Sequence, residues 1–385
     1  MVGMTGSQII VLATPVFFAL IALELAVGIK RGRNTYRLHD AVASIGLGTL
    51  SQVGGLFTKL MTLGIYTAIF SHFALFELPA NSLWVWLGAF VAYDFLYYWH
   101  HRLGHTCALF WAAHVVHHQS EDYNLSTALR QTSSGWIVGW VVYMPMAIAG
   151  VPPLVFGTVA LIDLLYQFWV HTQHIGRLGW FDRWFCSPSN HRVHHAVNEG
   201  YVDKNYGGVF IFWDRLFGTF KQEDAAIPCV YGTRSPLRSF NPIWANLQVY
   251  ADLFRDAWRA QSWLDKVRVF FKPPGWRPAD VAARFPKPAF DIRRVQRFDP
   301  PLSRNAMVGI GLLFWAALNV ATYVLWFGHT LPLSTQAGGL VAIIALLWMA
   351  SVLSANPSAT PSALQEKQAE KSPDARISTS GPKSL

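Results

Sequence analysis

Three short stretches decide how this chain is read: His101-Arg-Leu-Gly-His105, His114-Val-Val-His-His118 and His191-Arg-Val-His-His195. Residues three and four apart share one face of a helix, so each stretch aims its imidazoles at one region. A doublet after two intervening residues can give one ring to each of two metal ions. The three boxes supply eight imidazoles, and His171 makes a ninth. One tetrahedral zinc takes about three or four ligands, so this number implies two ions. Nitrogen ligation without cysteine fits iron, copper, nickel or zinc by ligand softness. The three cysteines, Cys107, Cys186 and Cys229, form neither a CxxC nor a disulfide framework. His39, His72 and His329 stand alone and are read as structural. His100 points roughly 100° away from His101 on a helix and is also read as structural or supporting. His174, close after His171, is left open between ligand and structure.

Working outward, the 385 residues are 52% hydrophobic and only 14% charged, against about 25% charged in ordinary soluble domains. A net charge of +9 admits nucleic acid or a membrane surface as partner, but 17 Trp and 26 Phe with so few charges select the membrane. Seven apolar runs follow: Ile9–Ile29, Ile45–Phe70, Leu83–Trp99, Trp136–Val151, Leu154–Val170, Met307–Phe327 and Gly338–Leu353. A helix of about 20 such residues crosses a bilayer. The first run has no basic leader and no Ala-x-Ala site, so it reads as an anchor. Lys30-Arg31-Gly32-Arg33 stops it and marks the cytoplasmic side. Counting passes from there, with Pro152-Pro153 turning a hairpin, places every box in the cytoplasm, of a bacterial inner membrane or a eukaryotic endoplasmic reticulum. The expected fold is all-α, a polytopic helical membrane protein with a cytoplasmic histidine-rich dimetal site.

The expected division is membrane spans over 1–80, a catalytic domain over 81–230, a basic amphipathic segment over 231–304, two further spans over 305–354 and a disordered tail over 355–385. Tyr231 to Pro300 carries 13 Lys/Arg and six Asp, a net +7. Within it, Asn241 to Lys272 alternates aromatic and basic residues, which suits either the headgroup layer or a helix covering the domain.

Metal-bound histidines usually give their other nitrogen to a carboxylate, carbonyl or water. Asp94 lies two turns before His101, Asp163 lies inside an apolar run two turns before His171, and Glu121 and Asp122 follow the second box. Of these Asp94, Asp163 and Glu121, together with Asn190, are the expected supporting residues. No GxGxxG, GxxxxGK[ST], GxSxG or HExxH is present, so reducing electrons must come from a separate donor. A metal transporter would carry its ligands near the membrane midplane, and a zinc hydrolase would need only about three.

Asp94-Phe-Leu-Tyr-Tyr-Trp-His-His-Arg102 and Ser189-Asn-His-Arg-Val-His-His195 resemble the fatty acid hydroxylase (sterol desaturase) superfamily of membrane diiron oxygenases. The likeness is dense from Asp94 to Phe220. The stretches His117 to Arg130, Asp203 to Gly208 and Trp213 to Phe220 look like one branch, the alkylglycerol monooxygenases. The resemblance implies two iron ions on the eight box histidines plus His171 in Trp-Val-His-Thr172, and O2-dependent hydroxylation of a membrane lipid. In that branch hydroxylation beside a glyceryl ether oxygen cleaves the ether, and tetrahydrobiopterin is the reductant. Other branches hydroxylate or desaturate acyl chains, sterols or amino-lipids with electron-transfer proteins as donors.

Overall fold

A computed structural model describes residues 4–355, so all but the first residue of the expected tail lies outside the described residues. Ten helices organise it: α1 (Gly6–Lys30), α2 (Leu38–Phe73), α3 (Leu83–Thr106), α4 (Ala108–His118), α5 (Pro153–Tyr166), α6 (Pro188–His194), α7 (Pro242–Arg259), α8 (Trp263–Phe271), α9 (Arg304–Phe327) and α10 (Leu333–Ser354). The described residues contain no β-strand, only two isolated bridges. Local sequence sets the ends. Thr5 caps α1 in a reciprocal pair with Gln8, and Ser187 and Ser303 cap α6 and α9.

Two apolar cores hold the bundle. Leu50 and Val53 of α2 meet Ala317 and Val324 of α9 and Ile343 and Leu347 of α10. Tyr66 of α2 and Ala89 of α3 meet Met146, Val155 and Val159. The start of α1 reaches the end of α9, where Gln8 Nε2 donates to the Trp326 carbonyl at 3.2 Å. The other end of α1 is therefore the end where α9 begins and α10 finishes. Arg37, just before α2, pairs there with Asp122 at 2.9 Å, and α3 delivers the first histidine box to the same end.

Among the described residues four helical stretches are long and apolar enough to cross a bilayer: Gly6–Lys30, Leu38–Thr58, Arg304–Phe327 and Leu333–Ser354. Seven apolar runs led to an expectation of more. α3 is one continuous helix, but its last turns are polar and histidine-rich. Trp136–Val151 forms no long helix; Gly135, Gly139 and Pro145 break it into two 3₁₀ turns and the short helix Met144–Ile148. α5 has 14 residues, about 21 Å at 1.5 Å each, against about 30 Å of hydrocarbon. The hairpin instead packs beside α2 and α3, its tip tied by Tyr66 Oη to the Val151 carbonyl at 2.9 Å.

Candidate metal centre

The end of α3 supplies His101 and His105. α4 supplies His114, His117 and His118, while α6 with its C-cap supplies His191, His194 and His195. His171 comes from the turn after α5. These rings form two groups, His101/His105/His114/His118/His194 and His117/His171/His191/His195, with ligand nitrogens within 4.8 Å of one another in each. Both doublets divide between the groups, as their spacing implies: neighbouring residues on a helix point about 100° apart.

The nitrogens are arranged for a cation. In the second group His117 Nδ1 gives its proton to the Arg130 carbonyl at 2.9 Å, and His171 Nδ1 to the Gln167 carbonyl at 2.8 Å. Each Nε2 is then a lone pair, yet the two face each other at 3.2 Å. Neither can donate, so the pair is stable only with a positive ion between them. In the first group His101 and His194 are fixed the same way, by the carbonyls of Tyr206 at 2.7 Å and Lys204 at 3.0 Å. Neighbouring Nε2 atoms there lie 3.1–3.2 Å apart along His101, His114, His118 and His194. Groups of five and four imidazoles exceed the roughly three or four protein ligands a zinc site takes, and an all-nitrogen set of this size fits iron.

Burial holds His114, His118, His171, His191, His194 and His195 well below the ordinary imidazole value and pushes His117 down to about 4. All are therefore neutral near pH 7, the state in which imidazole binds metal.

The expected supporting residues have other work. Asp94 accepts from the backbone of Val209 at 2.6 Å and Phe210 at 3.2 Å and from Trp213 Nε1 at 2.8 Å. Two turns along α3 is too far for its carboxylate to reach His101. It anchors the segment after the third box. Asp163 accepts from Gln167 Nε2 at 2.6 Å, one residue removed from the contact that fixes His171. Glu121 accepts from the Phe298 backbone at 2.5 Å, and Asn190 donates to the carbonyls of Asp182 and Phe185 at 3.2 Å. None of the four contacts a histidine ring of the centre through these bonds; they brace the segments that carry the rings. His100 meets the Tyr143 hydroxyl at 3.3 Å and joins neither group. His174 lies against Gly28 of α1, where an added Cβ would sit 3.2 Å from its Nε2, and it too stands outside both groups.

Sequence reasoning picked out Asp203 to Gly208 by resemblance alone and gave it no role at the rings. Besides the carbonyls of Lys204 and Tyr206, this segment brings Asp203 Oδ1 to 3.6 Å from His105 Nδ1. Asp203 and Asn205 have φ of 59° and 58°, left-handed conformations that Asp and Asn tolerate. Asp214, buried, accepts from the backbone of Tyr206 and Gly207 at 2.8 and 2.7 Å and keeps the segment in place. Glu24 was also missed. From α1 it accepts from the Leu125 backbone at 2.8 Å and from the hydroxyls of Tyr36 and Thr172, beside His171.

A cavity of about 330 Å³ opens on the centre. Its lining includes His101 and His114 of one group and His117 and His171 of the other, so it reaches both. Nearby lie the polar side chains of Tyr97, Gln131 and Gln167, with the Tyr97 hydroxyl donating to Gln167 Oε1 at 2.7 Å. The rest of the lining is mostly apolar, from Phe17 and Phe18 of α1, Ile45 of α2, Leu164 of α5 and Leu318 and Leu325 of α9, with Gln52, Thr132 and Thr322 among it. Thr14 and Thr49, also in the wall, spend their hydroxyls on their own helices.

Residues 86–219 match the Fatty acid hydroxylase family. An alkylglycerol monooxygenase of Homo sapiens is 39% identical over 325 residues, 84% of this chain and 72% of that protein. One from Xenopus tropicalis is 35% identical over 322 residues, 84% and 71% of the two chains. One from Danio rerio is 40% identical over 268 residues, 69% of this chain and 59% of the relative. No solved structure shows a significant match.

Proposed function

The chain belongs to the alkylglycerol monooxygenases of the fatty acid hydroxylase family and is an oxygen-dependent membrane lipid monooxygenase; from that premise we propose that it cleaves glyceryl ether lipids at a diiron centre. The nine histidines hold two iron ions, five rings on one and four on the other. Iron held by these rings would supply O2 activation; the overall change puts one oxygen on the carbon beside the ether oxygen, while two electrons from the reductant and two protons carry the second oxygen away as water. The hemiacetal so formed falls apart into a fatty aldehyde and a glycerol.

The observation that carries this reading is the mixed lining of the cavity. An alkylglycerol has its reacting carbon where a polar glycerol joins an apolar chain. The cavity that reaches the histidines has polar Tyr97, Gln131 and Gln167 in its lining together with mostly apolar helix walls. A lipid lying along it would place its glycerol hydroxyls against those three side chains, its chain among α1, α2 and α9, and the junction by the metals. The carbonyls of Tyr206, Lys204, Gln167 and Arg130 keep the rings in their metal-binding tautomer. Apolar walls keep bulk water from the reacting carbon.

The reductant comes from outside, as a reduced pterin or a small electron-transfer protein, since no nucleotide-binding signature is present. The site faces the cytoplasm. The basic end of α1 supports that side, because Arg31 and Arg33 reach the carbonyl of His174 and the side chain of Gln173 just beyond His171. The test is to give membranes containing the protein an alkylglycerol, O2 and either a reduced pterin or an electron carrier, and to identify products by mass spectrometry. Fatty aldehyde and glycerol are expected. A stable product one oxygen heavier, with no aldehyde, would make the enzyme a hydroxylase of an intact lipid instead.

A further inference from the structure

α7 and α8 divide their surfaces into three sectors. The buried sector of α7, with Ala245, Asp256 and Ala257, packs towards α4 and α2. Opposite lies an exposed apolar stripe: Ile243, Leu247, Phe254 and Trp258, continued on α8 by Trp263, Leu264, Val267 and Phe271. Trp258 and Trp263 are 87% and 83% exposed. Each helix keeps its stripe within roughly a 100° arc. Polar residues, among them Arg255, Arg259 and Arg268, take the remaining arc.

The hairpin also has a fixed place. Phe240 and Pro242 line one small cleft with Leu347, Ala350 and Ser354 in the last turns of α10. Leu47, early in α2, shares a small core with Ala245. α7 thus starts where two membrane-crossing helices end, at the level of a bilayer surface. The apolar stripe is too large and too aromatic for water.

We propose that the α7–α8 hairpin is a foot seated on an anionic bilayer surface, its tryptophan-rich stripe in the acyl boundary and its arginines at the headgroups. Charge complementarity favours acidic lipid, because Asn241 to Lys272 carries five Lys/Arg against three Asp, a net +2. Arg255 and Arg268 are tied only to Asp252 and Asp265 on the same exposed helix faces, at 2.6 and 3.2 Å, contacts that phosphate can replace. The foot is wired to the cavity. Asn246 Oδ1 accepts from the Ser133 backbone at 2.9 Å and Tyr250 meets the Ser134 hydroxyl at 3.0 Å, next to cavity-lining Thr132 and Gly135. Seating the foot would hold that wall.

The proposal concerns lipid contact alone, so its test needs no substrate. Full-length protein with Cys229→Ser carries a single fluorescent label at Trp258→Cys, Trp263→Cys or, as a water-facing control, Arg294→Cys, which is 87% exposed. It is reconstituted in phosphatidylcholine vesicles with or without phosphatidylglycerol, part of the lipid bearing brominated acyl chains. Labels at 258 and 263 should be quenched several-fold more than the label at 294, and more strongly with phosphatidylglycerol. Quenching no greater than at 294 would overturn the proposal. Equal quenching in both vesicles would overturn its anionic part. Shielding that vanishes when protein is diluted into excess lipid would assign the stripe to a second copy of the chain instead.

Discussion

Replacing Gly208 by alanine puts one methyl group where three elements converge. An added Cβ would lie 2.8 Å from Tyr97 Cδ1 and 3.0 Å from an oxygen of each of Asp94 and Asp163. None of these yields cheaply. Asp94 is pinned by Val209, Phe210 and Trp213, and Tyr97 by its bond to Gln167. Overpacking of this kind costs about 1–3 kcal/mol, and two buried carboxyl oxygens against a methyl place the cost near the middle, about 2 kcal/mol. That is about a 30-fold change in an equilibrium constant, or a fall in Tm of about 2–3 °C for a chain of this length. The displacement should also reach the metal, since Tyr206, two residues earlier, holds His101 by its carbonyl. Gly200→Ala is the matched control in the same region: nothing lies within 4 Å of its added Cβ, so the change should stay within about 0.5 kcal/mol. The assay is thermal inactivation of both variants in detergent, with iron content measured before heating. If Gly208→Ala matched Gly200→Ala in both readouts, the close packing around Asp94 and its link to the first histidine group would be refuted.

Four further outcomes follow. His194→Ala and His191→Ala each remove one ligand from a different group; each should leave about one iron per chain and abolish turnover, and metal analysis with an activity assay checks both. His174→Ala and His329→Ala should keep the iron and most of the activity, the first because His174 packs against Gly28. Acidification should destabilise the metal-free protein: burial pushes His117 down from 6.5 to about 4, so its neutral folded form contributes stability above pH 6.5 that is lost as the unfolded chain takes up protons between 6.5 and about 4. Denaturant titrations at several pH values would show it, and a flat profile would count against it. Reporter fusions after Gly104, Thr172 and Asn190 should report the same side of the membrane as one after Arg31; a fusion after Asn190 reporting the opposite side would break the shared-face account.

The centre was legible because histidine spacing survives folding. An i, i+3, i+4 pattern on a short helix dictates which ring of a doublet turns to which ion, and His117/His118 and His194/His195 divide accordingly. The five-and-four partition was not legible, since it depends on how α3, α4 and α6 pack. The supports of the rings were misread for a physical reason. His101, His117, His171 and His194 give their outer nitrogen to main-chain carbonyls, and every residue type carries one of those. Asp94, Asp163, Glu121 and Asn190 stood out as side chains, yet they act one step away. The hairpin was misread because apolar content hid its breakers: Trp136–Val151 is greasy enough to span, but Gly135, Gly139 and Pro145 deny it a continuous helix.

The central claim is that one chain holds two iron ions on nine histidines and uses them on O2. Its most direct test is metal analysis of purified, active protein, with activity followed as metal is removed and restored. The account predicts two irons per chain, activity lost with chelation and regained only on iron addition. One metal ion per chain, or full activity restored by zinc alone, would contradict it.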